Sequence, residues 1–410
     1  MLEAAGIVVV GAGQAAASAI EALRSGGYGG RLTLVGDEPL PPYQRPPLSK
    51  KYLLGEMGVD TLLLRPRSYY ASHDVDLHLG VSVARIDPTN QTVHLSDDTR
   101  LNWDRLLIAT GAAARRLPPQ LVNGFDAVHT IRSIADVDRM ASQFDNTSRV
   151  LIVGGGFIGL EAAAVARQRG HHVTVIEAAP RILQRVAASE TSRYFAALHR
   201  RNGVDVRESV SMEKISPQPD GSGIVHLSDG GALEVDFIVA GIGVDPTTEL
   251  AQAAGLEIDN GIAVDPFCQT SCPNIFAAGD CASFPWRGRR IRLESVPNAV
   301  EQGKIAAANI LGQARPYDAV PWFWSDQYDV KLQIAGLNHG FDEIATRPGA
   351  REGARSVWYY GAGELLAIDA FNDAPAFMAA KRFLAAGFSP EIDAIRNPST
   401  DLKRLLASAA

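Results

Sequence analysis

Cysteine is scarce in this chain of 410 residues, which contains only Cys268, Cys272 and Cys281. No two of them have the C-x-x-C spacing of a redox dithiol, and their odd number does not suggest the disulfide framework of a secreted protein. Cys268 and Cys272 could still form a disulfide, but small packing residues are the favoured interpretation.

Long apolar runs and an excess of positive charge are also missing. No stretch approaches the roughly 18 consecutive apolar residues of a membrane-spanning helix. The segment Met1–Gly6 leaves no room for a signal peptide before the strand-like Ile7–Val10. The formal net charge of −7 argues against nucleic acid as a partner, since phosphate binding favours a basic domain. We therefore expect a cytoplasmic protein that binds neither nucleic acid nor a membrane.

The composition that remains is that of an ordinary globular protein, with 46% hydrophobic and 21% charged residues. A length of 410 residues allows two to three domains at roughly 150 residues each. Outside the two repeated units described next, the pattern predicts further strands and helices. The strands are Leu77–Val83, Thr92–Leu95, Leu106–Ile108 and, in a small antiparallel sheet, Val330–Ile334, Val357–Tyr360 and Leu365–Ile368; the helices are Asn298–Leu311 and Ala374–Ala386.

Two stretches repeat one design of strand, glycine-rich turn, helix and second strand. The first has Ile7–Val10, then Gly11-Ala12-Gly13-Gln14-Ala15-Ala16, a helix to about Arg24 and a strand Arg31–Val35 that leads to Asp37. The second has Arg149–Val153, then Gly154-Gly155-Gly156-Phe157-Ile158-Gly159, a helix to Arg169 and a strand His172–Ile176 that ends at Glu177. Both predict β-α-β units with strands buried in a parallel sheet.

Each residue type in this design has a physical task in binding a dinucleotide. Gly11 and Gly154 make the tight turn, whereas Gly13 and Gly156 let the backbone approach a pyrophosphate. Ala16 and Gly159 permit close packing of helix on strand. Asp37 and Glu177 would accept hydrogen bonds from adenosine-ribose hydroxyls. One such motif is weak evidence, but two complete copies predict two dinucleotides, most naturally a flavin and a nicotinamide cofactor.

The acid of the second unit bears on which nicotinamide cofactor is used. A carboxylate at the ribose 2′ position, here from Glu177, favours NAD and repels the 2′-phosphate of NADP. Arg181 and Arg185 follow soon after in the sequence, and because arginine can bind a 2′-phosphate, NADP remains an alternative. A stiff proline-rich loop, Pro41–Lys50, carries Arg45 and Lys50, which could hold their charges against phosphate or flavin. The alternative for this loop is a rigid surface segment with solvated charges.

Seven stretches together resemble one family over nearly the whole chain, the ferredoxin reductases of bacterial oxygenase systems. They are Val35-Gly36-Asp37, Arg45–Lys50, Ala109-Thr110-Gly111, Gly154–Glu161, Ala278-Gly279-Asp280, Glu294–Asn298 and Pro321–Gln327. The resemblance implies an α/β glutathione-reductase-like fold with two nested Rossmann-like domains and a small α+β C-terminal domain. The implied domains are 1–112 with 246–321 for FAD, 113–245 for NAD, and 322–410 at the C-terminus.

The resemblance also assigns residues to the cofactors. Together with the first glycine turn, those implied at FAD are Ala15, Asp37, Arg45, Lys50, Val83, Thr110, Arg132, Gly279, Asp280, Val296 and Trp324. Together with the second glycine turn, those implied at NAD are Ile158, Glu177, Arg185 and Gly243. Pro297-Asn298 opens a helix whose positive end would face the flavin N1–C2=O edge. Trp324 could instead be a buried aromatic at a domain interface.

Lys50 and Glu161 resemble a family pair that meets beside the flavin N5 and the nicotinamide, and they are the catalytic candidates. Glu161 lies two residues past Gly159, which predicts a place on the first turn of the second helix. It could also be only a favourable acid near a helix N-terminus. A partly buried ion pair is costly unless it is well paired, so stability alone is a poor reason for one.

The resemblance implies an FAD-dependent NADH:ferredoxin reductase. NADH would give a hydride to the flavin N5, and single electrons would pass to a [2Fe–2S] ferredoxin that serves an oxygenase such as a cytochrome P450 or a ring-hydroxylating dioxygenase. The nearest alternatives are a rubredoxin or monodehydroascorbate reductase. A different class of alternative is a flavin-based interaction protein like apoptosis-inducing factor, and a third is an NADH dehydrogenase acting on membrane quinone.

A local basic cluster is needed if an acidic ferredoxin is to dock on a chain that is acidic overall. Arg287, Arg289, Arg290 and Arg292 lie between Asp280 and the helix that opens at Val296. As a loop with four arginines they could focus a positive field close to the flavin. The alternative is a solvated turn around Gly288.

Overall fold

The computed structural model describes residues 6–145 and 148–407, and the chain divides into two compact units. The first unit comprises the chain up to Arg45, Gly58–Ala113 and Asp245–Ala319. The second comprises Pro46–Met57, Ala114–Val244 and the chain from Val320 onward. Lys50 and Glu161 therefore belong to the same unit. Which cofactor each unit binds stays a prediction at this point.

The first unit is built on a seven-stranded sheet whose centre is Gly6–Val10. This strand pairs in parallel with neighbours on both sides, and all five of its residues are buried because both sheet faces are covered. The strand order is Val75–Leu79, Leu32–Gly36, Gly6–Val10, Arg100–Ile108, Thr92–Leu95 and Val83–Asp87, with Ile275–Ala277 also paired to Arg100–Ile108.

Two helices of the first unit, Gln14–Ser25 and Val296–Ile310, pack closely against each other. At their contact a Cβ on Gly303 would lie 2.4 Å from the Ala15 carbonyl oxygen, so only glycine fits there. The remaining elements of this unit are the helices Val59–Leu62, Arg67–Ser72 and Glu249–Ala253, and a three-stranded sheet of Ile262–Ala263, Ala282–Trp286 and Arg289–Arg292.

The predicted single strand Leu77–Val83 is wrong. The structure has two strands, Val75–Leu79 and Val83–Asp87, which lie at opposite ends of the strand order. The chain turns between them at Gly80, whose φ is +74° and whose N–H donates to the Glu38 carbonyl oxygen at 3.0 Å. A positive φ is accessible to glycine and ends the extended run, although the hydrophobic alternation continues through it.

The second unit contains a five-stranded parallel sheet, and the predicted strand Arg149–Val153 is confirmed at its centre. The order is Asp205–Glu208, His172–Glu177, Arg149–Val153, Phe237–Ala240 and Val128–His129. Beside it lies an antiparallel sheet of Met212–Pro217, Gly223–Leu227 and Ala232–Val235. The helices of this part are Pro119–Val122, Ile134–Ala141, Phe157–Gln168 and Ser189–Arg201, with 3₁₀ turns at Pro46–Ser49 and Ser142–Phe144. Ala112–Ala114 and Val244–Pro246 are further short strands.

The C-terminal part of the second unit is the predicted antiparallel sheet with a helix packed on it. Its strand order is Trp322–Gln327, Val330–Gly336, Glu364–Phe371, Arg355–Gly361 and Glu343–Pro348. The helix Ala374–Ala386 has the predicted bounds because Asp373 caps its first turn and Gly387 ends it in the left-handed region. Short helices follow at Ile392–Arg396 and Leu402–Ala407. Trp358, Phe377 and Phe383 are central to the core.

None of the helices in residues 6–145 and 148–407 combines the length and the apolar composition needed to cross a bilayer.

One buried acid, Asp369 on the strand Glu364–Phe371, joins this sheet to the helix Ser189–Arg201. Asp369 is 1% exposed, and its Oδ2 accepts hydrogen bonds from the hydroxyls of Thr191, at 2.7 Å, and of Tyr359. Its Oδ1 has no hydrogen-bond partner among the described residues. Burial disfavours the charged carboxylate and raises the pKa of Asp369 to about 6.

This raised pKa predicts a pH-dependent loss of stability. The pKa of this carboxyl is higher in the folded than in the unfolded protein. Its contribution to stability is therefore complete below the unfolded pKa, and it is lost as pH rises through the folded pKa of about 6. Between pH 5 and pH 7.5 the unfolding free energy of the wild type should fall by about 1 kcal/mol more than that of Asp369→Asn, which has no carboxyl group to ionise. Unfolding at the two pH values measures it, with Asp393→Asn as the exposed control. Parallel pH profiles for wild type and Asp369→Asn would contradict it.

Candidate functional site

The first glycine turn leaves room for a phosphate because Gly11 and Gly13 have no side chains to cover its backbone. Gly11 has φ +104°, and a Cβ on it would lie 2.3 Å from the Ala109 carbonyl oxygen, so no other residue fits. A Cβ on Gly13, by contrast, would have no atom within 4 Å. No side chain caps the helix that begins at Gln14, and its first turn holds no acid. Its first N–H groups lack an intrahelical partner, and the space beside Gly13 is open, as pyrophosphate binding requires.

The second glycine turn repeats this geometry. Gly154 has φ +105°, and a Cβ there would lie 2.5 Å from the Gly241 carbonyl oxygen. A Cβ on Gly159 would lie 2.2 Å from the Gly154 carbonyl oxygen, which explains the glycine at the helix–strand contact. Gly156 is open, since the nearest atom to its Cβ position is 3.8 Å away. The helix Phe157–Gln168 likewise has no side-chain cap.

The acid at the end of each second strand lies at the glycine turn of its unit. Glu177 accepts hydrogen bonds from the Gly155 and Ala179 N–H groups, at 2.8 Å to each oxygen. Each carboxylate oxygen can accept a second hydrogen bond, so both stay able to bind ribose hydroxyls. In the first unit, a Cβ on Gly36 would lie 2.6 Å from the Ala12 Cβ, which brings the exposed Asp37 beside the turn. The residues present therefore fit two dinucleotides.

Other FAD candidates of the first unit gather around its glycine turn. Gly279 has φ +87°, and a Cβ on it would lie 3.1 Å from the Ala15 Cβ. Its N–H donates to Gln302 Oε1 at 2.8 Å. The Thr110 hydroxyl donates to the Thr247 carbonyl oxygen at 2.7 Å. Asp280 therefore follows a glycine held against the start of the first helix. Ala16 is a fully buried residue of this helix, as its packing role predicts.

The structure gives the positions of the remaining FAD candidates but does not test whether they contact the cofactor. Val83 begins the strand Val83–Asp87, and Val296 is the first residue of the helix Val296–Ile310. Arg132 lies in the second unit, where its N–H donates to Asp136 Oδ2 at 3.2 Å. Trp324 is half-buried, with its ring centroid 5.6 Å from that of Trp322. Their contacts with a flavin stay predictions.

Arg45 is paired within its own loop. Its Nη2 lies 2.6 Å from Glu38 Oε1, and its Nη1 donates to the Tyr43 hydroxyl at 3.1 Å. The Tyr43 hydroxyl donates in turn to Glu38 Oε2 at 2.5 Å. Much of the charge of Arg45 is therefore balanced by Glu38, and we expect it to stiffen the loop as well as to face a cofactor.

In the second unit the arginines after Glu177 divide into one internal and one exposed. Arg181 Nη1 donates to the Ala187 carbonyl oxygen at 2.7 Å and to Ser192 Oγ at 2.5 Å. Arg185 is exposed, and its Nη2 lies 3.6 Å from a Cβ built on Gly243. Ile158 is 42% exposed although it is apolar, beside the open Gly156. Because Arg181 is engaged internally, the support for a 2′-phosphate is weaker than the sequence indicated.

Lys50 and Glu161 form the predicted ion pair, with Lys50 Nζ 2.6 Å from Glu161 Oε2. The Lys50 side chain is 19% exposed and that of Glu161 is 3% exposed. Glu161 is the fifth residue of the helix Phe157–Gln168, so it lies at the start of the second turn and the prediction of the first turn is wrong. Its place beside a flavin N5 stays a prediction.

Two serines that the sequence did not indicate complete the surroundings of Glu161. The Ser49 hydroxyl donates to Oε2 at 2.6 Å, and the Ser325 hydroxyl donates to Oε1 at 2.7 Å. Three donors therefore hold a carboxylate that is nearly out of contact with water, which offsets the cost of burying its charge. Ser325 lies in the stretch Pro321–Gln327 that carries the family resemblance, but nothing in the sequence pointed to its contact with Glu161.

The three cysteines are free, which confirms the interpretation as packing residues rather than a disulfide. Cys268 and Cys281 are buried, and burial raises the pKa of both thiols. The Cys268 thiol donates only a weak hydrogen bond to the Gln302 carbonyl oxygen at 3.9 Å. The raised pKa values keep the reactive thiolates of Cys268 and Cys281 scarce, so these two residues are poor redox groups.

The four arginines expected in a loop instead lie on a β-hairpin of Ala282–Trp286 and Arg289–Arg292. The turn residues Arg287 and Gly288 both have positive φ, as a two-residue hairpin turn requires. Arg290 Nη1 donates to the carbonyl oxygens of Val264 and Ser283, and Arg292 pairs with Glu294 at 2.6 Å. Arg287 lies over the Trp286 ring, 4.7 Å from its centroid.

Comparison with protein families gives two matches along the chain. The model described as pyridine nucleotide-disulphide oxidoreductase matches residues 5–303. A reductase C-terminal model matches residues 322–406. The first match contains both glycine turns and the second contains the strand with Trp324 and Ser325.

Similar curated proteins align over nearly their full length. Rhodocoxin reductase of Rhodococcus erythropolis is 41% identical over 403 residues, which covers 98% of this chain and 94% of the relative. A ferredoxin–NAD(P)(+) reductase of Sphingomonas sp is 41% identical over 386 residues, with coverage of 93% and 92%. Putidaredoxin reductase of Pseudomonas putida is 38% identical over 409 residues, with coverage of 98% and 97%.

Solved structures give the same fold over the whole chain. The covalent putidaredoxin reductase–putidaredoxin complex matches with a TM-score of 0.94 and 38% identity, covering 99% of both chains. The ferredoxin reductase for the CYP199A2 system of Rhodopseudomonas palustris matches with a TM-score of 0.94 and 37% identity, covering 98% and 100%.

The position of Glu177 predicts that NADH is preferred over NADPH. Glu177→Gln removes the negative charge but keeps an acceptor for the turn, and Glu177→Ala removes both. We expect each variant to lower the NADH/NADPH ratio of kcat/KM by about tenfold or more, since repulsion of the 2′-phosphate is lost. Asp205→Ala, an exposed acid on the neighbouring strand, is the control. A wild type that uses both cofactors within about twofold would contradict the assignment.

The packing role of the cysteines predicts that they are dispensable for electron transfer. Replacing Cys268, Cys272 and Cys281 together with Ala or Ser should leave the reduction of an artificial acceptor by NADH within about threefold of wild type. The measurement uses protein shown to be folded and to contain FAD. A loss of turnover in such protein would reveal a thiol in the electron path.

Proposed function

The chain belongs to the pyridine nucleotide-disulphide oxidoreductase family, and on that premise we propose that it is an FAD-dependent NADH:ferredoxin reductase. Its partner is a [2Fe–2S] ferredoxin that carries electrons to an oxygenase. The observation that carries the proposal is the pair of bare glycine turns, each with an acid at its edge, in a chain whose cysteines are free. The relatives named ferredoxin reductases, one of them solved in a complex with putidaredoxin, support the same assignment. A cytoplasmic location, expected from the sequence, stays a prediction.

The protein's own residues bind and orient the two cofactors. Gly13 and Gly156 expose backbone N–H groups to the two pyrophosphates, and Glu177 orients the nicotinamide dinucleotide through its ribose. When bound, FAD supplies a centre that takes two electrons from NADH as hydride and releases them singly to an iron–sulfur partner. No general acid or base is required for the hydride step, so positioning and electrostatics are what the protein contributes.

Lys50 and Glu161 are the residues we assign to the neighbourhood of the hydride transfer. The buried Glu161 carboxylate carries a fixed negative charge, and Lys50 places a positive charge within 2.6 Å of it. A fixed dipole of this kind, shielded from water, acts strongly on charge that moves nearby. The roles of these two residues and of the other cofactor candidates belong to this proposal.

Anaerobic reduction followed by reoxidation tests the proposed function. NADH should reduce the bound FAD, and a [2Fe–2S] ferredoxin from an oxygenase system should reoxidise it at least tenfold faster than rubredoxin or monodehydroascorbate does. The same comparison includes a quinone in vesicles, which the membrane alternative requires. Fast reoxidation by rubredoxin or quinone and slow reoxidation by every [2Fe–2S] ferredoxin would overturn the proposal. Slow reoxidation by all acceptors would favour a flavin-based interaction protein.

The hairpin next to Asp280 is our proposed docking element for the ferredoxin. Arg292 Nη1 donates to the Asp280 carbonyl oxygen at 3.2 Å, which ties the hairpin to a candidate FAD residue. Arg287 is exposed at the hairpin turn and Arg289 after it is half-buried, and these are the two charges we expect to meet an acidic partner. A net charge of −7 makes such a local patch necessary for electrostatic attraction.

Replacing Arg287 and Arg289 with Gln should raise the KM for ferredoxin several-fold and leave reduction of the FAD by NADH unchanged. The wild-type association rate should fall between roughly 20 and 300 mM salt, because the screening length shortens severalfold, and the double variant should lose most of this dependence. Arg100→Gln with Arg105→Gln, in the same unit, is the control. An unaltered ferredoxin KM in the hairpin variant would exclude this element as the docking site.

A further inference from the structure

We propose that Ser325, held in place by Gln327 and His199, is the positioning residue that fixes the Glu161 carboxylate. Behind Ser325 the second unit contains a chain of buried side-chain hydrogen bonds that ends on Glu161. The inference rests on the proposed function, in which Glu161 acts near the hydride transfer.

The chain of hydrogen bonds joins three elements of the second unit. Ser325 Oγ donates to Glu161 Oε1 at 2.7 Å, and Gln327 Nε2 donates to Ser325 Oγ at 3.2 Å. The next contact joins His199 Nε2 to Gln327 Oε1 at 2.9 Å. Tyr328 lies at the far end, with its hydroxyl 3.4 Å from His199 Nδ1. Glu161 is on the helix Phe157–Gln168 and His199 is on Ser189–Arg201, whereas the other three residues are on the strand Trp322–Gln327 or directly after it.

The chemistry of these groups allows one direction of donation. Ionised Glu161 only accepts, so Ser325 must donate its hydroxyl proton to it. The Ser325 oxygen is then free to accept from the Gln327 amide nitrogen, which leaves the Gln327 oxygen to accept from His199 Nε2–H. His199 Nδ1 must accept, and the Tyr328 hydroxyl donates to it. Every donor therefore points toward the carboxylate, and hydrogen bonds aligned in this way strengthen one another.

Burial makes this arrangement specific. Ser325, Gln327 and His199 are each fully buried, so water does not offer them alternative partners. Burial also lowers the pKa of His199 to about 4, so the imidazole is neutral at working pH. A neutral imidazole carries one N–H proton, either on Nδ1 or on Nε2. The network selects the form with the proton on Nε2. A neutral donor adds order without adding a second charge near Glu161.

The chain is suited to holding Glu161 and not to moving its proton. A relay would have to pass through the Gln327 amide, which neither releases nor takes up a proton under ordinary conditions. What the chain does supply is direction. Lys50 and Ser49 both bind Glu161 Oε2, so Ser325 is the donor that fixes the other oxygen and thereby the plane of the carboxylate.

The first test measures the rate at which NADH reduces the bound FAD in anaerobic stopped flow. Ser325→Ala should lower the limiting rate by about tenfold or more, the effect of removing a hydrogen bond to a charged group, whereas the dissociation constant for NADH stays within about twofold. Ser356→Ala, an equally buried and hydrogen-bonded serine of the same sheet, should change neither. Equal rates for folded Ser325→Ala and wild type would overturn the proposal.

A double-mutant cycle distinguishes positioning through Ser325 from a general loss of packing. Gln327→Met should lower the reduction rate in the wild-type background and have little further effect when Ser325 is already Ala, because Gln327 acts on Glu161 only through Ser325. Additive effects on the rate would mean that Gln327 acts independently, which contradicts the proposal.

A second measurement needs no turnover and separates this inference from the proposed function. In protein labelled with ¹⁵N-histidine, the ring nitrogens of His199, identified by their loss in His199→Phe, should show a neutral imidazole protonated on Nε2. Protonation on Nδ1, or a mixture of the two forms, would refute the donor chain. If NADH failed to reduce the FAD of the wild type, the proposed function would fail instead, whichever form His199 takes.

Discussion

A dinucleotide pyrophosphate can be bound by backbone N–H groups only where no side chain stands in the way, and this constraint organises both units. At Gly11 and Gly154 a Cβ would lie within about 2.5 Å of the carbonyl oxygen of the residue that follows a neighbouring strand, so these positions tolerate no other residue. The strand that leads into each turn is almost wholly buried, because both faces of its parallel sheet are covered. Asp37 and Glu177 lie beside these turns, where we propose that they bind a ribose of each dinucleotide.

The second requirement is a buried negative charge that keeps one orientation. Glu161 is supplied by the helix that starts from the second glycine turn, and its donors come from a proline-rich loop and from the C-terminal sheet. Breaking one donor away from such a carboxylate leaves a buried charge partly unpaired, which is costlier than never having buried it. The C-terminal sheet is therefore connected to Glu161 by a hydrogen bond as well as by packing.

The sequence predicted what short-range patterns determine. Both β-α-β units, the helix Ala374–Ala386 and the packing role of the cysteines are confirmed, because strand periodicity, glycine spacing and helix caps act within a few residues. It failed at two turns, where hydrophobic alternation does not report the backbone conformation, and at one long-range contact. A glycine with positive φ divides the single predicted strand Leu77–Val83 in two, and a two-residue turn converts the arginine loop into a hairpin. Ser325 meets Glu161 across 164 positions of sequence, a distance at which no local pattern gives a signal.

The central claim is that electrons enter as a pair and leave singly, and the electron stoichiometry tests it most directly. A limited amount of NADH is added anaerobically to the FAD-loaded protein with an excess of oxidised [2Fe–2S] ferredoxin. The oxidation of NADH and the reduction of the [2Fe–2S] cluster are each followed by absorbance. The account predicts two ferredoxins reduced for each NADH oxidised, since a hydride carries two electrons and the cluster accepts one. Oxidation of NADH without reduction of any ferredoxin would contradict it.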